Sequence, residues 1–366
     1  MARKLKSDKV LFITTVLLVF LGVVMVFSAS EPLARTRYGD SYLFLRKQMM
    51  WAALGLGSLA LVMRIDYRTY RQPLFVWSSL AMVGVALVAV LFSAPINNAR
   101  RWFSVGGLGI QPSELAKLSA IFFVAWFLEK RLSAINTFRQ ALLPIGLVLG
   151  PVIVLILLEP DFGTSMAIAL IAAMMIFGAG LNYGYFIGTV LLALPAVAFL
   201  MISSPYRFRR LTTFWNPWDD PQGDGFQIIQ SLIAVGTGGW HGRGLTQGVQ
   251  KLFYLPEPHT DFIYSVIAEE LGLIGAVITL VCFCVIAWRG FKVAANAPDP
   301  FGSFLALGLT TMVALQALIN ISVVLSLMPT KGIPLPLVSS GGSSLLINLV
   351  GMGVLLNVSQ HASTEE

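Results

Sequence analysis

The stretch LPEPHTDFIYSVIAEELG, residues 255–272, joins a long polar segment to a run of apolar residues long enough to cross a membrane. Five ionisable side chains fall within it: Glu257, His259, Asp261, Glu269 and Glu270. Only 12% of the residues in the whole chain are charged. Because ionisable groups at the mouth of a membrane helix are costly, they usually mark a pathway or a reaction site. This stretch is therefore the first candidate for a functional site.

The rest of the chain has the composition of a membrane protein. Of its 366 residues, 56% are hydrophobic, whereas soluble domains average about 45–50% apolar and about 25% charged residues. No polar block is long enough to form a soluble domain, so we predict a single all-α polytopic membrane domain over residues 1–366. The net charge of +7 is scattered through loops without interleaved aromatic residues, which argues against nucleic-acid binding.

Ten apolar runs approach the roughly 20 residues that a spanning helix needs. They are residues 10–28, 47–63, 74–92, 112–128, 140–158, 162–180, 184–202, 262–288, 302–327 and 341–358. An even number of spans puts both termini on one side. Lys and Arg are more frequent in the loops on that side, including Arg3, Lys4 and Lys6, so both termini are predicted to be cytoplasmic. The long loop 203–261 then lies outside, and its apolar spacing at 226–235 predicts a short helix.

Asp261 is the leading candidate for a catalytic residue. It lies at the predicted start of the eighth span, where the helix dipole and free N–H groups favour a carboxylate. An ordinary N-cap is the alternative interpretation. Ser265 follows on the same helix face, however, and Glu269 flanks that face two turns deeper. Two adjacent carboxylates in a membrane run require a partner or a water-filled cavity.

A second charged pair opens the fourth span in the sequence QPSELAK, residues 111–117. Glu114 and Lys117 are three residues apart, so they face the same way and can pair. A self-neutralising structural ion pair is the alternative. Because the predicted topology puts the starts of the fourth and eighth spans on the outer side, we expect Glu114, Lys117 and Asp261 to converge on one outward-facing cavity.

Other polar segments carry candidates for substrate binding. The sequence EPDFGT at 159–164 predicts a turn between two spans, and a plain interhelical turn is its simplest interpretation. The prolines and small residues of 334–344 predict irregular backbone and close packing. Two clusters of arginines lie in loops near the ends of the spans. Arginine is well suited to phosphate, although anchoring at the membrane interface explains these arginines equally well. The substrate-binding candidates are Arg100, Arg101, Arg207, Arg210, His259 and Ser343.

Together these motifs resemble the SEDS family of shape, elongation, division and sporulation proteins. The likeness runs in order over nearly the whole chain, and the segment 242–262 is more similar to the division members than to the elongation members. The segments that carry the resemblance are 111–118, 159–164, 216–221, 255–272 and 335–346.

The resemblance implies ten helices, cytoplasmic termini and a peptidoglycan glycosyltransferase that polymerises lipid II at the outer membrane face. Lipid II is an undecaprenyl-pyrophosphate disaccharide-pentapeptide. The essential acidic residue of the family falls on Asp261, and its polar pair falls on Glu114 and Lys117. The implied partners are a class B penicillin-binding protein and other membrane proteins of division or elongation.

From these observations we predict that Asp261 is the general base for the 4-hydroxyl of the acceptor sugar, which attacks the anomeric carbon of the donor with inversion. Lys117, the outward arginines or a divalent cation such as Mg²⁺ or Mn²⁺ would stabilise the pyrophosphate leaving group, with Glu114 holding Lys117 in place. The alternatives are a lipid II transporter, an elongation-type polymerase and a non-catalytic membrane scaffold.

Overall fold

The computed structural model describes residues 7–95, 99–105 and 108–362, and all ten predicted spans are helical within it. In chain order the helices are α1 Lys9–Tyr38, α2 Leu43–Val62, α3 Pro73–Val90, α4 Pro112–Arg131, α5 Leu142–Leu158, α6 Phe162–Gly178, α7 Tyr183–Ile202, α8 Pro205–Trp215, α9 Phe226–Thr237, α10 Ile263–Ala295, α11 Pro300–Val324 and α12 Gly342–Ser359. By length and composition, α1, α3, α10, α11 and α12 could each cross a membrane, and α5 and α6 are apolar but shorter. The protein is therefore an all-α, multi-pass membrane protein.

The segment 203–261 contains two helices, α8 and α9, and α9 confirms the short helix predicted at 226–235. A small antiparallel hairpin of β1 Phe103–Val105 and β2 Leu108–Ile110 precedes α4. Short 3₁₀ helices occupy Tyr67–Arg71, Leu132–Ala134 and Pro217–Asp219. The basic residues Arg3, Lys4 and Lys6, on which the predicted orientation partly rests, lie outside the described residues.

The buried centre of the bundle is formed by α4, α11 and α12. Helix α4 packs against α3, α6 and α11, and α12 packs against α2 and α11. In α11 and α12, 78% and 83% of the most apolar window is buried inside the protein, against 28% in α3. Polar residues on the central helices therefore face protein, while outer residues such as Phe20 and Leu147 stay exposed to the lipid.

The starts of α4 and α6 follow from local chemistry. Proline occupies the first turn of α4, where its fixed φ angle suits the helix and its missing N–H is not needed. Asp161 caps α6 by accepting a hydrogen bond from the Thr164 backbone N–H at 3.1 Å. The predicted turn at 159–164 is thus the junction of α5 and α6.

Helix α10 is interrupted at Gly272, which has φ 69° and ψ −168°. A positive φ angle is strained for residues other than glycine. The break divides α10 into a buried first part, 263–271, and a longer second part, 273–295. The first part packs against α9, where the Ser231 and Ser265 hydroxyls are 2.8 Å apart.

Candidate functional site

Asp261 lies two residues before α10, in the loop that leads into the buried part of that helix. Its backbone carbonyl accepts a hydrogen bond of 2.8 Å from the Asn320 side chain, which also donates to the Ile333 carbonyl at 2.8 Å. Asn320 of α11 therefore ties the Asp261 loop to the loop before α12. The Asp261 carboxylate accepts no hydrogen bond from any described residue, so it does not act as the helix N-cap.

The surroundings of Asp261 raise its pKa to about 6. Burial is the largest cause, followed by the charge of Glu257, while Arg210 and Arg101 lower the pKa and Asp161 raises it slightly. A carboxyl group whose charged form is poorly solvated holds a proton more tightly than it does in water. Asp261 is consequently a stronger base than an ordinary aspartate, yet it is still ionised at neutral pH.

Two of the predicted arginines hold the loops around Asp261. Arg101 Nε donates to the Glu159 carbonyl at 2.8 Å, and its Nη2 donates to the Pro160 carbonyl. Arg210 Nη1 donates to the Thr330 carbonyl at 3.0 Å. Both guanidinium groups therefore combine a structural bond with a charge that acts on Asp261.

The remaining predicted arginines are placed differently. Arg100 Nη1 donates to the Leu91 carbonyl at 2.9 Å, at the end of α3, and its charge is not among those that shift the Asp261 pKa. The side chain of Arg207 lies outside the described part of the structure. A binding role for either residue stays a prediction.

Lys331 is a further candidate site residue, which the sequence pattern did not single out. Its Nζ lies 2.9 Å from Met166 Sδ and 4.8 Å from the centre of the Phe162 ring. Burial lowers its pKa to about 8. The next residue, Gly332, is so close to Asp261 that a Cβ atom there would lie 3.1 Å from Oδ2. Among the described residues no carboxylate pairs with Lys331, so its ammonium group is available to an anionic ligand.

The α5–α6 junction places two more carboxyl groups near the site. Asp161 Oδ2 accepts hydrogen bonds from Gln111 Nε2 at 2.9 Å and from the Thr164 hydroxyl at 2.8 Å. Glu159 is fully buried, and burial, followed by the charge of Asp161, raises its pKa to about 8. Glu159 is therefore mostly protonated at neutral pH. The EPDFGT motif is more than a turn, because Asp161 joins α6 to the start of α4.

Ser343 and His259 are both buried at the edges of this site. The Ser343 hydroxyl accepts a hydrogen bond of 3.3 Å from the Gln111 backbone N–H and so joins the starts of α12 and α4. The His259 ring lies 4.8 Å from the Phe44 ring, and burial lowers its pKa. A neutral, buried imidazole packs the loop, and contact of either side chain with substrate stays a prediction.

Glu114 and Lys117 form an ion pair with each other. Lys117 Nζ lies 2.8 Å from Glu114 Oε2, and both side chains are about 5% exposed or less. Lys117 also lines a narrow cleft against Ile168 and Met175 of α6. Neither residue is among the charges that shift the Asp261 pKa, which come from Glu257, Arg210, Arg101 and Asp161. The structure thus brings this pair together on α4, and its expected convergence with Asp261 stays a prediction.

A divalent cation requires a group of oxygen or nitrogen ligands. Across residues 7–95, 99–105 and 108–362, no group of three or more His, Cys, Asp or Glu side chains is arranged to hold a metal ion. A role for Mg²⁺ or Mn²⁺ at the pyrophosphate therefore stays a prediction.

Comparisons with known proteins place this arrangement in a family. A sequence model for the FtsW, RodA and SpoVE proteins, described as cell cycle protein, matches residues 8–364. The chain is 44% identical to stage V sporulation protein E of Bacillus subtilis, covering 98% of this chain and 99% of that protein. It is 42% identical to a probable peptidoglycan glycosyltransferase FtsW of Geobacter sp., covering 96% of both chains.

Two solved structures share the fold over nearly the whole length. The first is a chain from a structure described as structural coordination of polymerization and crosslinking by a peptidoglycan synthase complex. It has a TM-score of 0.79 and 31% identity, covering 96% of this chain and 97% of that one. The rod shape determining protein RodA of Thermus thermophilus has a TM-score of 0.72 and 29% identity, covering 98% of both chains.

Proposed function

This chain belongs to the FtsW, RodA and SpoVE family of cell cycle proteins, and from this premise we propose that the loops around Asp261 form the active site of a lipid II polymerase. The protein is a peptidoglycan glycosyltransferase embedded in the membrane. Its identity is 44% to a stage V sporulation protein E, 42% to a relative named FtsW and 29% to RodA. The similarity to FtsW supports a role in septal wall synthesis during cell division rather than in elongation.

The proposal is carried by the Asp261 carboxylate, which accepts no hydrogen bond from the part of the chain that the structure describes and has a pKa raised by burial. In the proposed reaction this carboxylate takes the proton of the acceptor sugar's 4-hydroxyl. The hydroxyl oxygen forms a bond to the donor's anomeric carbon, and the bond from that carbon to the lipid pyrophosphate breaks with inversion. Protonated Asp261 then returns its proton to water. A placed general base typically contributes about 10²–10⁴-fold to the rate.

The pyrophosphate leaving group requires cations more than it requires an acid. Arg101 and Arg210 lower the Asp261 pKa and therefore lie within electrostatic range of the reacting atoms. A guanidinium group has more donors than the carbonyl bonds of Arg101 use. Lys331 adds an ammonium group without a carboxylate partner in the described chain. We propose that these three residues bind the pyrophosphate, since charge-assisted bonds to phosphate are strong.

The proposed substrate fixes the orientation of the protein. Lipid II presents its sugars outside the cytoplasmic membrane, so the Asp261 loops face outward and both termini face the cytoplasm. The excess of Lys and Arg in the loops on the N-terminal side supports this orientation. A class B penicillin-binding protein that cross-links the new strands is the proposed partner, and the similarity to a chain from a peptidoglycan synthase complex supports it.

Polymerisation of lipid II by the purified protein with its transpeptidase partner tests the role of Asp261. We expect Asp261→Asn to remain folded and to lose at least about 100-fold in rate, because an amide cannot accept the proton. Asp224→Asn is the matched control, since Asp224 is an exposed carboxylate in the same outer segment. It should keep its rate within about twofold.

Normal polymer from Asp261→Asn would contradict the proposal. A transport assay with labelled lipid II in vesicles distinguishes the transporter alternative from the proposed polymerase. A transporter would move the lipid across the bilayer and make no polymer without a second enzyme, whereas the proposed polymerase makes polymer from lipid II supplied on its outer face.

A further inference from the structure

The break of α10 at Gly272 leaves backbone groups of the helix without partners inside it. The Glu269 carbonyl accepts from the Arg243 N–H at 3.0 Å, and the Glu270 carbonyl accepts from the Gly244 N–H at 3.0 Å. On the other side of the break, the Leu273 N–H donates to the Gly239 carbonyl at 2.8 Å. The loop that follows α9 is therefore bonded directly to the interrupted helix.

The side chains of Glu269 and Glu270 bind the same loop a second time. Both residues are fully buried. Glu269 Oε1 accepts from the Val249 N–H at 2.8 Å, and Glu270 Oε2 accepts from the Thr246 N–H at 3.0 Å. Backbone N–H groups that converge on a carboxylate stabilise its charge. The loop cannot move away without leaving two buried charges unsatisfied.

Lys251 closes this arrangement. Its Nζ lies 2.6 Å from Glu270 Oε1, although the two residues are 19 positions apart in the chain. Lys251 Nζ also donates to the Ser28 hydroxyl of α1 at 2.9 Å, and that hydroxyl donates to Glu270 Oε2 at 2.6 Å. The ion pair thus joins the two ends of the segment 251–270, and Ser28 fixes the joined ends to the first helix.

Asp261 lies at the middle of that closed segment. The half on its C-terminal side is the rigid helical part 263–271, which α9 supports through the Ser231–Ser265 contact. The half on its N-terminal side is irregular, with positive φ angles at Phe253 and Glu257. Asn320 holds the middle of this segment at the Asp261 carbonyl. Holding its ends as well further limits the conformations open to the irregular half, because closing a loop restricts it.

We propose that Lys251, Glu270 and Ser28 form a positioning clamp that holds the segment 251–270 in the shape that presents Asp261 to the acceptor hydroxyl. This inference rests on the proposed function of Asp261. Lys251 and Glu270 do not touch the reacting atoms; they act through the position of Asp261. A displacement of about 1 Å in a catalytic group can lower a rate by about 10²-fold.

The test is steady-state polymerisation of lipid II by the full-length protein with its transpeptidase partner. We expect Lys251→Met to lower kcat at least about tenfold and to leave KM for lipid II unchanged, because the substrate-binding arginines are elsewhere. The acid limb of the pH–rate profile should also move to lower pH, since a loosened loop lets water reach Asp261. The double variant Lys251→Met, Glu270→Gln removes the unpaired buried charge and should recover part of the lost kcat.

Ser28→Ala and Ser30→Ala form a matched pair on α1. Among the described residues, the Ser30 hydroxyl bonds to the Val26 carbonyl of its own helix alone. Ser30→Ala should therefore keep full activity, while Ser28→Ala should lower kcat. This pair decides the question if Lys251→Met does not fold. Equal kcat values for the two serine variants would overturn the clamp, as would a Lys251→Met protein with wild-type kcat and an unmoved acid limb. If Asp261→Asn itself makes normal polymer, the proposed function fails instead.

Discussion

Two carboxylates of the same short segment, Glu270 and Asp261, lie in opposite environments. Glu270 is surrounded by donors: the Ser28 hydroxyl, the Lys251 ammonium group and two backbone N–H groups. Asp261, nine residues earlier, receives no hydrogen bond on its carboxylate from the described residues, and burial raises its pKa. The first arrangement stabilises a buried charge, and the second leaves it reactive. The comparison teaches that burial alone does not distinguish the proposed base from a structural carboxylate, because both are buried and only Glu270 is surrounded by donors.

The largest effect that sharpens this comparison is on stability. Glu270→Gln leaves the Lys251 ammonium group buried without a carboxylate, which costs about 3–5 kcal/mol. Asp261→Asn should change the free energy of unfolding in the opposite direction above pH 6. The pKa of Asp261 is higher in the folded protein than its ordinary 3.8, so ionisation of this carboxyl group opposes folding there. In detergent at pH 8 we expect a strongly lowered apparent Tm for Glu270→Gln and an equal or higher one for Asp261→Asn. A lowered Tm for Asp261→Asn would mean that its carboxylate has donors after all.

A pair of glycines tests whether the donors of Glu269 and Glu270 depend on the close approach of the loop. A Cβ atom at Gly238 would lie 1.9 Å from the Ala268 carbonyl oxygen, whereas one at Gly236 would meet nothing within 4 Å. Gly238→Ala should push the loop away and destabilise the protein by about 1–3 kcal/mol. Gly236→Ala, inside α9, should stabilise it by about 0.5–1 kcal/mol. Thermal unfolding of both variants measures the difference, and equal Tm values would show that the loop moves freely.

Much of the fold was predictable because local hydropathy is enough to indicate membrane helices. All ten apolar runs are helices, and α9 follows its apolar spacing. The sequence placed the end of the first span near residue 28, but α1 continues to Tyr38 through Pro32, since polar residues end an apolar run without ending a helix. The paired strands 103–105 and 108–110 were missed because strands of three residues have no readable alternation.

The site was predictable only in part. Asp261 was predicted as the catalytic residue because a carboxylate at the mouth of a span is costly, and Arg101 and Arg210 as binding residues because arginine suits phosphate. The donors of Glu270 could not be predicted, since Ser28 lies 242 residues away in the chain. The break at Gly272 could not be predicted either, because a single glycine in an apolar run does not indicate a positive φ angle. Contacts of this kind depend on packing rather than on local pattern.

The smallest expected effect concerns the cations that keep Asp261 ionised. With a pKa of about 6, Asp261 loses its basic form below that pH, so kcat/KM should fall about tenfold per pH unit on the acid side. Arg210 lowers this pKa, and Arg210→Gln should therefore move the acid limb upward, by at most about one unit. Arg210→Lys keeps the charge and should keep the limb near its wild-type position, which separates the charge from the bond to Thr330. An acid limb that stays near pH 6 in Arg210→Gln would show that burial alone sets the reactivity of Asp261. Asp261 and Glu270 would then differ in how well their carboxylates are solvated rather than in the charges around them.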